Sequence, residues 1–178
     1  MLKKTHDSKS FYDASVGSVN YEYLNSHILD KSELSLHNKI ELERFLRNLG
    51  SLECKRNLVK YVSNILECPA FILDEDSNLF VVSGYSSYVF RNEMFGEELH
   101  SLLTFLDNPE YVQKVLSDNF TLYPICFCFD FELEDKVVNS LCVVSVSLNG
   151  MVFGVIGKID INFDLVIPVL KHISEKAI

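Results

Sequence analysis

Two β-rich apolar runs, Leu-Cys-Val-Val-Ser-Val-Ser-Leu and Met-Val-Phe-Gly-Val-Ile-Gly-Lys-Ile, flank Asn149-Gly150 within the stretch 139–161. Asn-Gly between two such runs predicts a two-residue type I′ turn, because both central residues must take positive φ. A loop of that length sets the register: Leu148 opposite Met151, Val146 opposite Phe153, Val144 opposite Val155, Cys142 opposite Gly157. That face is apolar throughout. The other face pairs Ser147 with Val152, Ser145 with Gly154 and Val143 with Ile156, so it is mixed and small near the turn. One face belongs to a core; the other is lightly covered, solvated or the wall of a pocket.

Upstream, the period changes to that of helices. Leu42, Phe45, Leu46 and Leu49 recur at i, i+3, i+4, i+7 within a helix predicted over 32–48, with Leu36 and Ile40 extending the stripe and Gly50 ending it. Ser51 caps a second helix with stripe Leu58, Val62, Ile65 and Leu66, which Pro69 stops. Charges on the outer faces include Glu41, Glu43, Arg44 and Arg47, then Lys55, Arg56 and Lys60. These stripes either cover the sheet or, for the first helix, pair with a second copy in a homodimer. Ala70–Asp74 and Leu79–Ser83 read as a second hairpin across an acidic turn ending at Asn78. That turn lacks the Gly and Glu of a calcium loop. After Gly84 come short helices, one with Leu99, Leu102, Leu103 and Leu106, the next opening at Pro109 behind Asp107 or Asn108. Leu122 to Phe131 reads as a third strand, with Tyr123, Ile125, Phe127, Phe129 and Phe131 on one side, and Glu132 to Lys136 as a charged loop. A last helix runs from Leu165 to about Glu175.

The order is helix, helix, two strands, short helices, three strands, helix. With hairpin connections it predicts an α+β domain: an antiparallel sheet flanked by helices, over residues 51–178. The helix at 31–50 extends it, and residues 1–30, polar with scattered aromatics, form a tail or an arm.

The 178 residues carry a net charge of −9, which disfavours a domain that grips nucleic acid or an anionic membrane by itself. No apolar run is long enough for a transmembrane helix, and the start has no signal-peptide pattern, so the location expected is cytoplasmic. Five cysteines without a C-x-x-C pair read as reduced, small hydrophobes. Neither a nucleophile–base constellation nor a phosphate loop is recognisable, so the chain reads as non-catalytic; a small enzyme using Cys126 or Cys128 is the alternative. No cofactor is identified.

The phrase Ile65-Leu-Glu-Cys-Pro-Ala-Phe-Ile-Leu-Asp-Glu-Asp-Ser-Asn-Leu-Phe-Val-Val-Ser resembles the opening of the GAF-like sensor domain of bacterial transcription regulators of the purine catabolism regulator type. There a helix ends at a residue such as Asn before Pro; here Cys68 stands in its place. Leu141 to Gly157 resembles that domain's closing hairpin, and the resemblance spans roughly 52–175. It implies a GAF/PAS-like fold and a ligand-sensing or dimerising role beside a DNA-binding module; no helix-turn-helix is recognisable here, so the chain reads either as the sensor half of a longer protein or as a stand-alone module. No ligand is carried over. A pocket is expected between the sheet and the helices after Gly84, with Ser83, Tyr85, Arg91, Tyr123 and Cys126 as candidate ligand-binding residues. A purely structural interaction module is the remaining alternative.

Overall fold

The computed structural model describes residues 12–13, 18–19, 34–117, 120–122 and 124–176. Its centre is the predicted hairpin. Strands β9 (Leu141–Leu148) and β10 (Met151–Lys158) pair in the register derived above, across a turn with φ of 49° at Asn149 and 82° at Gly150. β10 pairs on its other side with β3 (Ala70–Asp74), which forms a hairpin with β4 (Leu79–Ser83). β9 pairs with β6 (Ile125–Cys128), and β6 with β5 (Phe120–Leu122). The result is a six-stranded antiparallel sheet of order β4-β3-β10-β9-β6-β5. Two short pairs lie outside it: β1 (Tyr12–Asp13) with β2 (Ser18–Val19), and β7 (Phe131–Leu133) with β8 (Lys136–Val138). Apart from the first of these, the arm expected over 1–30 lies outside the described residues.

Six helices flank the sheet among the described residues: α1 (Leu36–Leu46), α2 (Leu52–Leu66), α3 (Tyr85–Arg91), α4 (Gly96–Asp107), α5 (Pro109–Ser117) and α6 (Phe163–Lys176). Directly paired residues share a face, so two cross-strand rows, Ile72-Phe153-Val146-Ile125 and Ala70-Val155-Val144-Phe127, make one wall, every member at most 1% exposed. α2 and α6 pack on that wall, and α1 packs on both. The opposite face carries Phe71, Gly154, Ser145 and Cys126 in one row and meets α4 and α5: the Phe71 ring lies edge-on to Phe105 of α4 at 5.6 Å, and Cys128 Sγ donates to the Val115 carbonyl of α5 at 3.5 Å. This is the α+β, GAF/PAS-like arrangement predicted. The mixed face of the central hairpin is thus buried at Val143, Ser145, Gly154 and Ile156, with Ser145 3% exposed, while Ser147 at the turn end is exposed.

Several local predictions are corrected. The run 122–131 is not one strand. Pro124 supplies no donor and sits in the link from β5 to β6, and Asp130 takes a left-handed φ of 51°, ending the alternation. Phe131 therefore opens β7 and packs against Phe105 rather than beside Phe127. The charged segment after it is a second tight hairpin, with Glu134 and Asp135 at φ of 50° and 60°. Leu36 and Ile40 do not extend the buried stripe of α1; they stand 72% and 54% exposed, because Ile40 lies about 200° round the helix from Leu42. Lys55 is not on an outer face but buried, as described below.

α1 is held by Tyr61, whose hydroxyl donates to Asn38 Oδ1 at 2.8 Å, and by a charged seam with α6. In that seam His172 Nε2 lies 3.4 Å from Glu43 Oε1, out of hydrogen-bonding geometry, with Lys176 also on Glu43 at 3.8 Å. Burial lowers the His172 pKa below its ordinary 6.5, the attraction of Glu43 and Glu175 opposing it and Lys176 and Lys39 adding to it. The unfolded chain then takes up this proton first. The His172 contribution to stability is complete above pH 6.5 and falls as the pH drops through the folded-state value. Urea midpoints at pH 8 and pH 5 should differ less in His172→Gln than in the wild type; an unchanged difference would remove this assignment.

Candidate functional site

The turn joining β3 to β4 places Glu75, Asp76, Ser77 and Asn78 at the surface, with Asn78 in the left-handed region at φ 52°. Opposite it, α4 ends and α5 begins. Asn108 caps α5 completely: its Oδ1 accepts from the Glu110 N–H at 3.0 Å, and its carbonyl accepts from the Tyr111 and Val112 N–H groups at 3.1 and 3.3 Å. Pro109 has no N–H to satisfy. Between turn and helix start lies a cleft of about 420 Å³, with Leu73, Leu79, Phe80 and Pro109 as its apolar lining. Asp74, Glu75, Asn78, Asn108, Glu110 and Gln113 supply its polar groups.

The cleft's electrostatics follow from which of these groups are committed. Asp74 is held inside the fold: its Oδ2 accepts from Lys55 Nζ at 2.9 Å and its Oδ1 from the Ser77 N–H at 3.3 Å. The Ser77 hydroxyl and then Lys55 draw the Asp74 carboxyl from its ordinary 3.8 to about 2, with the Ser77 N–H contributing and burial opposing. Lys55 balances that charge. Glu75 and Glu110 are exposed carboxylates, and among the described residues no basic side chain lines the cleft beside them. Because Asn108 occupies the first donors of α5, the helix start offers little to an anion. The cleft is therefore acceptor-rich, suited to a small molecule that brings hydrogen-bond donors or positive charge.

Of the candidate ligand-binding residues, Ser83, Tyr85, Arg91 and Cys126 do not line this cleft. Ser83 ends β4 half-buried, and Tyr85 opens α3 at 44% exposure. Arg91 closes α3, reaching the Glu67 carbonyl at 3.4 Å and its carboxylate at 3.4 Å. These three gather at the α3 end of the sheet. Cys126, half-buried, lies on β6, four strand positions from β4, which is about 19 Å at ordinary strand spacing. Tyr123 lies outside the described residues. The cleft does open between the sheet and a short helix after Gly84, but at the turn of the β3–β4 hairpin. The Asn-Pro-Glu cap and the acidic turn were both readable; their meeting, some thirty residues apart in the chain, was not.

Three of the five cysteines, Cys68, Cys128 and Cys142, are buried, and Cys54 and Cys126 are half-buried. Burial pushes the Cys68 thiol up to about 12, against the pull of Arg91, and pushes Cys142 well above its ordinary range. Cys142 Sγ donates to the Lys158 carbonyl at 3.6 Å, and Cys128 is 1% exposed with its thiol on Val115. Such thiols behave as small apolar groups with a weak donor. Among the described residues no cluster of three or more His, Cys, Asp or Glu could hold a metal ion, and no helix is long and apolar enough to cross a membrane. No protein-family model, curated protein or solved structure matches the chain.

Proposed function

We propose that the chain is a non-catalytic regulatory sensor domain of the GAF-like kind found in purine catabolism regulator-type transcription regulators. In this reading it binds a small, donor-rich or cationic molecule in the cleft between the β3–β4 turn and α5. The observation that carries the reading is the cleft itself. This opening of about 420 Å³ is within the size range of small-molecule sites and pairs an apolar floor with a few polar groups. It also touches the turn of the first hairpin, whose strand β3 pairs directly with β10 at the centre of the sheet.

Native mass spectrometry of the purified chain tests this. A reproducible extra mass is expected, and Glu110→Gln combined with Gln113→Ala, both at exposed positions, should weaken its retention by roughly tenfold, the scale of one lost charge-assisted hydrogen bond. Retention unaffected by these changes would move the ligand elsewhere. No retained mass, with no response to small amines in a thermal-shift series, would end the sensor reading. A second reading, an interaction module that works by self-association, is favoured by the exposure of Leu36 and Ile40 on the outer face of α1.

A further inference from the structure

We propose that α1 is an acid-released cover: protonation of His172 detaches it from α2 and α6 while the sheet stays folded. This inference is independent of the cleft. α1 is the least anchored of the three helices on its side of the sheet. It buries one residue, Leu42, against six in α2 and seven in α6. Its other ties include the Tyr61–Asn38 hydrogen bond, the Phe45 ring 5.6 Å from that of Tyr61, and the seam around His172. An isolated helix of 11 residues is marginal in water, so release also unfolds α1 and uncovers the Tyr61 side of α2. Opening confined to one such element needs less free energy than unfolding the sheet.

The surroundings of His172 make its proton decisive. The residue is 9% exposed, and its Nε2 is buried with no hydrogen-bond partner among the described residues. The charges acting on it cancel. From α1 come Glu43 and Lys39, and from its own helix Glu175 and Lys176. Each carboxylate already holds a lysine, Glu43 with Lys176 at 3.8 Å and Glu175 with Lys171 at 4.0 Å. Elsewhere on α1, Glu41 is taken by Arg44 at 2.8 Å, and His37 and Arg47 are exposed. On α2, Glu53, Arg56 and Lys60 are exposed and Lys55 is committed to Asp74. β9 and β6, which pack against α6, have only cysteine thiols as titratable groups. An imidazolium in this seam therefore loses its water without gaining a free counter-ion, and the docked state holds the neutral ring. With α1 detached the same ring is hydrated and takes up a proton from solvent, so acid favours detachment.

The test is amide hydrogen exchange of the full chain between pH 8 and pH 5, read by mass spectrometry and corrected for the intrinsic rate at each pH. In the wild type the α1 amides are expected to open far more readily than those of β9 and β10. Their opening constant should rise as the pH falls below 6.5, by at most about tenfold per pH unit, the limit for one proton. His172→Gln should flatten that dependence. His37→Gln, which changes the exposed histidine of the same helix, should leave it as in the wild type. Glu43→Gln should keep the dependence and steepen it towards pH 5, because Lys39 and Lys176 then outweigh Glu175 at the ring. The His37 and Glu43 variants keep the test decisive if His172→Gln does not fold. Opening of α1 only together with the sheet, a dependence unchanged in His172→Gln, or one lost in His37→Gln or Glu43→Gln would overturn the proposal.

Discussion

Lys55→Met is expected to destabilise the fold by about 3 kcal/mol or more, although a methionine fits the space of the lysine stem and adds apolar surface. Lys55 enters the core from the first turn of α2 with its side chain 8% exposed, and Asp74 receives it from the end of β3 at 12% exposure. Removing the cation strands a carboxylate that is largely withdrawn from water. Ser77 still donates to it, so the loss stays at the lower end of the range for a broken buried pair. The double variant Lys55→Met/Asp74→Asn should recover most of the loss, because the amide oxygen keeps the Ser77 N–H satisfied and no charge remains buried. The same pair sets the acid limb of stability. Asp74 titrates at about 2 in the folded chain against an ordinary 3.8, so its contribution is complete above pH 3.8 and disappears as the pH falls to about 2. Nearly two pKa units correspond to about 2 kcal/mol. Urea unfolding at pH 7 and at steps down to pH 2 reads both effects. A single variant costing less than about 1 kcal/mol, or a double variant worse than the single, would show that the pair does not work this way.

Lys55 also marks what was legible in the sequence. It lies three residues before Leu58, four before Val59 and seven before Val62, squarely on the buried stripe of α2, so the helical period itself placed it inside. Its charge suggested an outer face. What the period does not contain is a partner nineteen residues on, at the end of a strand, and without Asp74 a lysine there reads as an error of register. The central hairpin was fully readable because Asn149-Gly150 fixes register locally, and a one-residue slip would turn every side chain over. The helix caps Ser51 and Asn108 were readable for the same reason: each bonds within four residues of itself. The strand at 122–131 failed where alternation continued in type but not in backbone, since one left-handed residue, Asp130, moves Phe131 to the other side of the sheet. The cleft failed more completely. Its two walls are local motifs, each legible alone, and only the packing of α4 through Phe105 onto Phe71 brings them together.

Phe71→Ala is expected to cost about 3–5 kcal/mol and to open a cavity on the face of the sheet that small residues would otherwise leave open. Phe71 is fully buried, and its ring leans from β3 across the glycine on the neighbouring strand: a Cβ added at Gly154 would lie 2.5 Å from Phe71 Cζ and 3.1 Å from Ser145 Cβ. Gly154 and Ser145 are thus small because the chain's own ring fills the space above them. Phe105 and Phe80 hold that ring at 5.6 and 6.0 Å, so it cannot swing aside. Gly154→Ala alone should therefore cost about 1–3 kcal/mol by overpacking. On the Phe71→Ala background the same alanine should be neutral or stabilising, because the atom it collides with is gone. The sign change across this double-mutant cycle is the decisive quantity, measured by urea unfolding at pH 7. A dry apolar cavity of this origin should also accept benzene or indole, raising the midpoint of Phe71→Ala but not that of the wild type. If Gly154→Ala costs the same in both backgrounds, the ring does not occupy this position in solution. The sheet face would then be open to a ligand, and the cleft at the β3–β4 turn would lose its priority as the binding site.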